Sequence, residues 1–138
     1  MKTLLNDIAQ LDYAVVGTSL KSGDAEECNE VLSIANRPEI PQEVVEFLYK
    51  YNGISCGDGD FWGIDCTKHT LFDIVAENLL SHNPDTENIL LLGENTVTYV
   101  AWNKLTQKYV MLDKTSYETL HQFSNLAETI SYILKIIR

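Results

Sequence analysis

Apolar residues of this chain recur at two alternating spacings, and the clearest stretch lies at residues 40–65. Val44, Phe47, Leu48 and Tyr51 fall on one face of a helix. Pro41 suits the first helical position, where a missing N–H costs nothing, and Gly53 suits the left-handed residue past the end. Gln42 and Glu43 in the first turn and Lys50 in the last agree with the helix dipole. Gly57-Asp58-Gly59-Asp60 then predicts a turn, and Phe61-Trp62-Gly63-Ile64 predicts a strand packed beneath the helical stripe.

The same two periods run through the rest of the chain. Thr3 is a candidate cap for a short helix with Leu4, Leu5, Ile8 and Leu11 on one face, and residues 13–16 read as a brief strand. Asp24 with Glu27 has capping-box spacing, opening a helix that turns Ala25, Cys28, Val31, Leu32 and Ala35 inward and Glu26, Glu27 and Glu30 outward. Arg37-Pro38 ends it. Thr70 and Asp73 form another capping pair, for a helix expected to bury Leu71, Phe72, Val75, Ala76, Leu79 and Leu80. The aliphatic run 89–92 predicts a strand covered on both faces. Residues 97–103 and 108–113 predict a hairpin around a four-residue loop, apolar on both faces and therefore central in its sheet. Residues 117–123 add a strand. Asn125, with Glu128 at the capping-box position, opens a last helix with Leu126, Ile130, Ile133, Leu134 and Ile137 inward.

This order predicts an α+β fold, a single domain over residues 1–138 with helices packed on a mostly antiparallel twisted sheet. A chain of 138 residues buries about two-thirds of its unfolded surface, enough for its own core.

Several segments resemble the SUKH superfamily, which covers a yeast cell-wall-assembly regulator family and many bacterial immunity proteins. The first half of the resemblance is Ile40-Pro41, Phe47-Leu48, Asn52-Gly53 and Trp62-Gly63. The second half is Leu91-Leu92-Gly93-Glu94, Tyr99-Val100-Ala101-Trp102-Asn103, Lys108-Tyr109-Val110-Met111-Leu112-Asp113 and Phe123-Ser124-Asn125-Leu126. It spans roughly residues 24–137 and leaves residues 1–23 as an N-terminal extension without a counterpart. The resemblance implies the same α+β, SUKH-like fold, no catalytic motif, and a protein partner that is in many cases a nuclease toxin.

Charge narrows the partner. The formal net charge is −10, and residues 24–94 hold fifteen acidic against three basic side chains, whereas residues 95–138 hold three against five. Nucleic-acid binding needs a basic footprint, so such a partner is not expected; a cationic protein is. No apolar run approaches the roughly 20 residues of a membrane span, and the N-terminus lacks the succession of a secretory signal. Three cysteines, Cys28, Cys56 and Cys66, have no paired spacing, which suits a reducing cytosol.

Candidate chemistry is sparse. Cys66 and His69, with Cys56 upstream, supply only one short-spaced pair, too few for zinc and a base-dependent geometry for a thiol nucleophile. Asp58, Asp60 and Asp65 suggest calcium, but the loop standard wants a carboxylate where His69 stands. Gly57, Gly59 and Gly63 lack the pattern of a phosphate loop, and His82 and His121 are isolated. No catalytic residue, cofactor or metal is expected. Asp58, Asp60, Trp62, Asp65 and Glu94 are the expected partner contacts, because turn carboxylates stay wet and meet lysine or arginine, and tryptophan anchors interfaces when it is not core. The expected function is a cytosolic immunity protein that neutralises a cognate toxin by stoichiometric occlusion. The alternatives are a regulatory or scaffolding module and a small Cys66/His69 enzyme. Oligomeric state stays open.

Overall fold

The computed structural model describes residues 2–11, 13–15, 18–64 and 73–136. Among these residues seven strands form one sheet whose spatial order follows the chain: β1 (Ala14–Val15), β2 (Ile54–Cys56), β3 (Gly59–Phe61), β4 (Ile89–Glu94), β5 (Thr98–Asn103), β6 (Lys108–Asp113) and β7 (Thr119–Phe123). Every neighbouring pair is antiparallel. Helix α1 (Lys2–Ala9) precedes β1; α2 (Asp24–Ile34) and α3 (Gln42–Lys50) join β1 to β2; α4 (Ile74–Leu80) precedes β4; α5 (Leu126–Ile133) follows β7. The fold is α+β, with helices on an antiparallel sheet.

The central hairpin follows its alternation. Trp102 pairs with Tyr109 and Tyr109 with Phe123, so all three side chains share one face. There α5 lays Tyr132 5.6 Å from the Phe123 ring, and the Tyr109 hydroxyl donates to Glu43 of α3 at 2.5 Å. On the opposite face Ala101 and Val110 are also buried. Covered on both sides, β4, β5 and β6 hold much of the core. Helix α5 adds Leu126, Ile130, Ile133 and Leu134 to it, each burial worth about 1.5–3 kcal/mol.

Helix ends show where local pattern decides and where it does not. Asn125 caps α5 as its spacing predicts, accepting from the Glu128 N–H at 2.8 Å. Pro41, in contrast, is the cap residue rather than the first helical one, at φ −56 and ψ 143. Thr3 lies inside α1. Helix α2 is preceded by Gly23 at φ 90, and Asp24 begins the helix itself, its carboxylate accepting from the Lys21 N–H at 2.7 Å. A left-handed glycine has taken the place expected for a side-chain cap. The predicted 61–64 strand also shifts: the two-residue turn is Gly57-Asp58, with Gly57 at φ 64, and β3 runs Gly59–Phe61.

The largest departure is α4. Its cap is Asp73, whose carboxylate accepts from Val75 N–H at 2.7 Å and Ala76 N–H at 3.2 Å; Thr70, Leu71 and Phe72 lie outside the described residues. Leu79 and Leu80, expected inward, are exposed, and Asn78 is buried instead. The cause is the β4 backbone. The last backbone bond from this side is Trp62 N–H to Leu92 O at 2.8 Å; beyond it Asn78 substitutes for a strand by donating to Leu91 O and accepting from Leu91 N–H, both at 2.8 Å. Asn83 does likewise for Ile89 O at 3.2 Å. Buried backbone must be paired, and that demand outranks the periodicity that placed the leucines inward.

Candidate functional site

Asp58 sits on the hairpin tip, but its charge is answered. The α5 helix closes with two bonds, from Ile136 N to Ser131 O and from Lys135 N to Tyr132 O, with Lys135 at φ 57. That geometry turns the Lys135 ammonium back onto Asp58 at 2.7 Å, and the Thr96 hydroxyl donates to the same carboxylate at 3.1 Å. The hydrogen bond from Lys135, then that from Thr96, holds the Asp58 carboxyl below its usual value; the bond to Asp58 raises Lys135 in turn. The tip is also pressed against α5: a Cβ on Gly59 would lie 1.8 Å from the Ile133 carbonyl oxygen.

Glu94 is answered too. It lies opposite Asp60 across β3 and β4, and Lys114 reaches it at 3.0 Å while passing 5.2 Å over the Tyr99 ring. Tyr117 stacks on Tyr99 at 5.7 Å, and burial, with Tyr117 beside it, pushes the Tyr99 hydroxyl up to about 12. Trp62 is fully buried, edge-on to Tyr99 at 6.3 Å, and offers no surface to a partner. Asp65 lies outside the described residues, as do Cys66 and His69. Of the five expected contacts, the structure therefore brings Asp58, Asp60 and Glu94 to one region and sets two of these three against lysines. No group of three His, Cys, Asp or Glu among the described residues is placed to hold a metal ion.

The outer face of α2 is arranged differently. Glu26, Glu27 and Glu30 are exposed there, and Glu39 joins them from the loop before α3. The loop is pinned: Asn29 accepts from the Ile40 N–H at 2.8 Å, while Asn36 at φ 58 closes the helix through Asn36 N to Ser33 O and Arg37 N to Leu32 O. Glu26, Glu30 and Glu39 thereby border one shallow groove of about 370 Å³, with Ile34, 78% exposed, also lining it. No ion pair reaches any of these four glutamates among the described residues. The nearby guanidinium, Arg37, is engaged with carbonyls instead, Ala35 O at 2.8 Å and Asn78 O at 3.4 Å. Glu26 and Glu27 in the first turn suit the helix dipole, but Glu30 and Glu39 gain nothing from it.

The outward glutamates were legible in the sequence; Glu39, Ile34 and the pinned loop were not, because Asn29 and Asn36 act through backbone bonds that no periodicity signals. No family model matches the chain, and no curated protein does either. Among the described residues, no helix is long and apolar enough to cross a membrane.

Proposed function

We propose that this chain is a non-catalytic binding protein of the immunity type, acting in the cytosol to occlude a basic toxin domain in a one-to-one complex. The reading is carried by the α2 groove: three uncompensated carboxylates, Glu26, Glu30 and Glu39, beside an exposed isoleucine, with Glu27 next to them on the same helix. Such a surface steers a cationic partner and offers one apolar anchor at the centre of the contact. A nuclease toxin fits, since the groove that binds its phosphodiester substrate must be basic. The resemblance of residues 24–137 to SUKH immunity proteins supports the same reading.

The contact surface belongs on α2 rather than on the hairpin tip. Asp58 and Glu94 are already paired, so a partner would have to displace a lysine from each to use them.

Co-expression with the product of the adjacent open reading frame tests the reading. A one-to-one complex on a sizing column with loss of toxicity is expected. A partner that stays toxic, or fails to bind at micromolar concentration, contradicts it.

A further inference from the structure

A second groove lies at the β7 edge of the sheet, between β7 and α5, with a volume of about 460 Å³. Its walls are Met111, Leu120 and Phe123, and a bulge builds it. Met111 pairs with His121 and Leu112 with Thr119, leaving Leu120 as the extra residue of β7. In a regular strand Leu120 and His121 would point to opposite faces; here both line the same groove.

Two α5 side chains supply its polar groups. Glu128, near the helix start, borders it with His121 Nε2 at 3.6 Å, in a pair half exposed to water. Ser131 follows three residues on, about 4.5 Å along the axis on the same side. The Ser131 hydroxyl is buried and has no hydrogen-bond partner among the described residues. A buried hydroxyl left unpaired costs stability unless some bound group answers it.

We infer that this groove binds the side chain of an arginine presented by a protein partner. Met111, Leu120 and Phe123 cover the aliphatic stem, the guanidinium replaces His121 as the partner of Glu128, and one of its N–H groups donates to Ser131 Oγ. Arginine fits better than lysine because its fork of five donors serves two separated acceptors. That the arginine comes from the basic toxin rests on the reading above; the groove's preference for a guanidinium does not.

The test uses n-butylguanidinium as probe, with n-butanol as the neutral control, followed by backbone and methyl NMR shifts of the whole chain. Saturable shifts at Ser131, Phe123 and Met111 are expected, with a dissociation constant on the order of millimolar for so small a ligand. Glu128→Gln should weaken binding about tenfold. Ser131→Ala should weaken it about two- to tenfold while leaving the protein as stable as before or more so, since an orphaned hydroxyl is removed. Equal binding of butanol, no shifts in the groove at tens of millimolar probe (roughly ten times the expected constant), or Glu128→Gln binding as wild type would each overturn the proposal. None of those results touches the toxin reading, which the co-expression experiment decides separately.

Discussion

The β2–β3 hairpin tip and the outer face of α2 are both acidic, yet their surroundings oppose each other. At the tip Lys135, just past the end of α5, closes on Asp58, and beside it Lys114 from the β6–β7 turn closes on Glu94 of β4. Glu26, Glu27 and Glu30 on α2, with Glu39 from the loop before α3, meet no cation among the described residues, and Arg37 is held on carbonyls. Counting carboxylates therefore says little about where a cationic partner lands. What matters is which of them the fold has already neutralised, since an exposed pair attracts little beyond its own members.

The first way to sharpen the contrast is mechanical. If the tip is a structural joint, crowding it should damage the whole fold. Gly59→Ala places a Cβ within 1.8 Å of the Ile133 carbonyl oxygen, a backbone atom that cannot swing aside. A loss of about 3 kcal/mol is expected in urea unfolding. A loss below about 0.5 kcal/mol would mean that the tip and α5 are not joined as described.

Next in size is the effect on partner affinity. Ile34→Asp should weaken the complex about 10- to 100-fold, as truncating or charging a central anchor does. Glu26→Lys with Glu30→Lys should mainly slow association and flatten its salt dependence. Both variants should melt within a few degrees of the parent, because these side chains are exposed. Isothermal titration and stopped-flow association measure the two effects. Unchanged affinity in Ile34→Asp would move the contact off α2.

A smaller effect comes from uncovering the tip. Lys114→Ala with Lys135→Asn removes both closing lysines; asparagine is chosen because residue 135 sits at φ 57. Affinity for spermine at low salt should rise a few-fold, with the gain located at residues 58, 60 and 94. No gain would show that pairing is not what silences this region.

The smallest effect is in the acid and alkaline limbs of stability. Asp58 is held below its ordinary 3.8, so its contribution is complete above that value and is lost as pH falls through the lower folded one. Lys135 is raised above 10.5, so its contribution is complete below that value and is lost as pH rises through the higher folded one. Comparing Asp58→Asn with the parent, the difference in melting temperature should be flat from pH 5 to 9 and shrink below about pH 4. A difference that grew on acidification would reverse the assignment.

Much of the architecture was legible because it is local. The β5–β6 hairpin, the Asn125 cap and the inward stripe of α3 each follow from residues a few positions apart. The inward face of α4 departs from its periodicity because β4 leaves its backbone open beyond the Trp62 N–H to Leu92 O bond, and Asn78 must turn inward to close it. The candidate site divides in the same way. The glutamates of α2 show at helical spacing, but the lysines that silence Asp58 and Glu94 come from other elements, and Lys135 reaches Asp58 only through the left-handed close of α5. Trp62 has a composition that fits core and interface alike, and only packing against Tyr99 decides for the core.

The α2 assignment is tested most directly by titrating the protein with pentalysine at low ionic strength and following every backbone amide. The largest shifts should fall between residues 26 and 39 and vanish with added salt. Largest shifts at residues 57–60 and 94, with α2 silent, would contradict it.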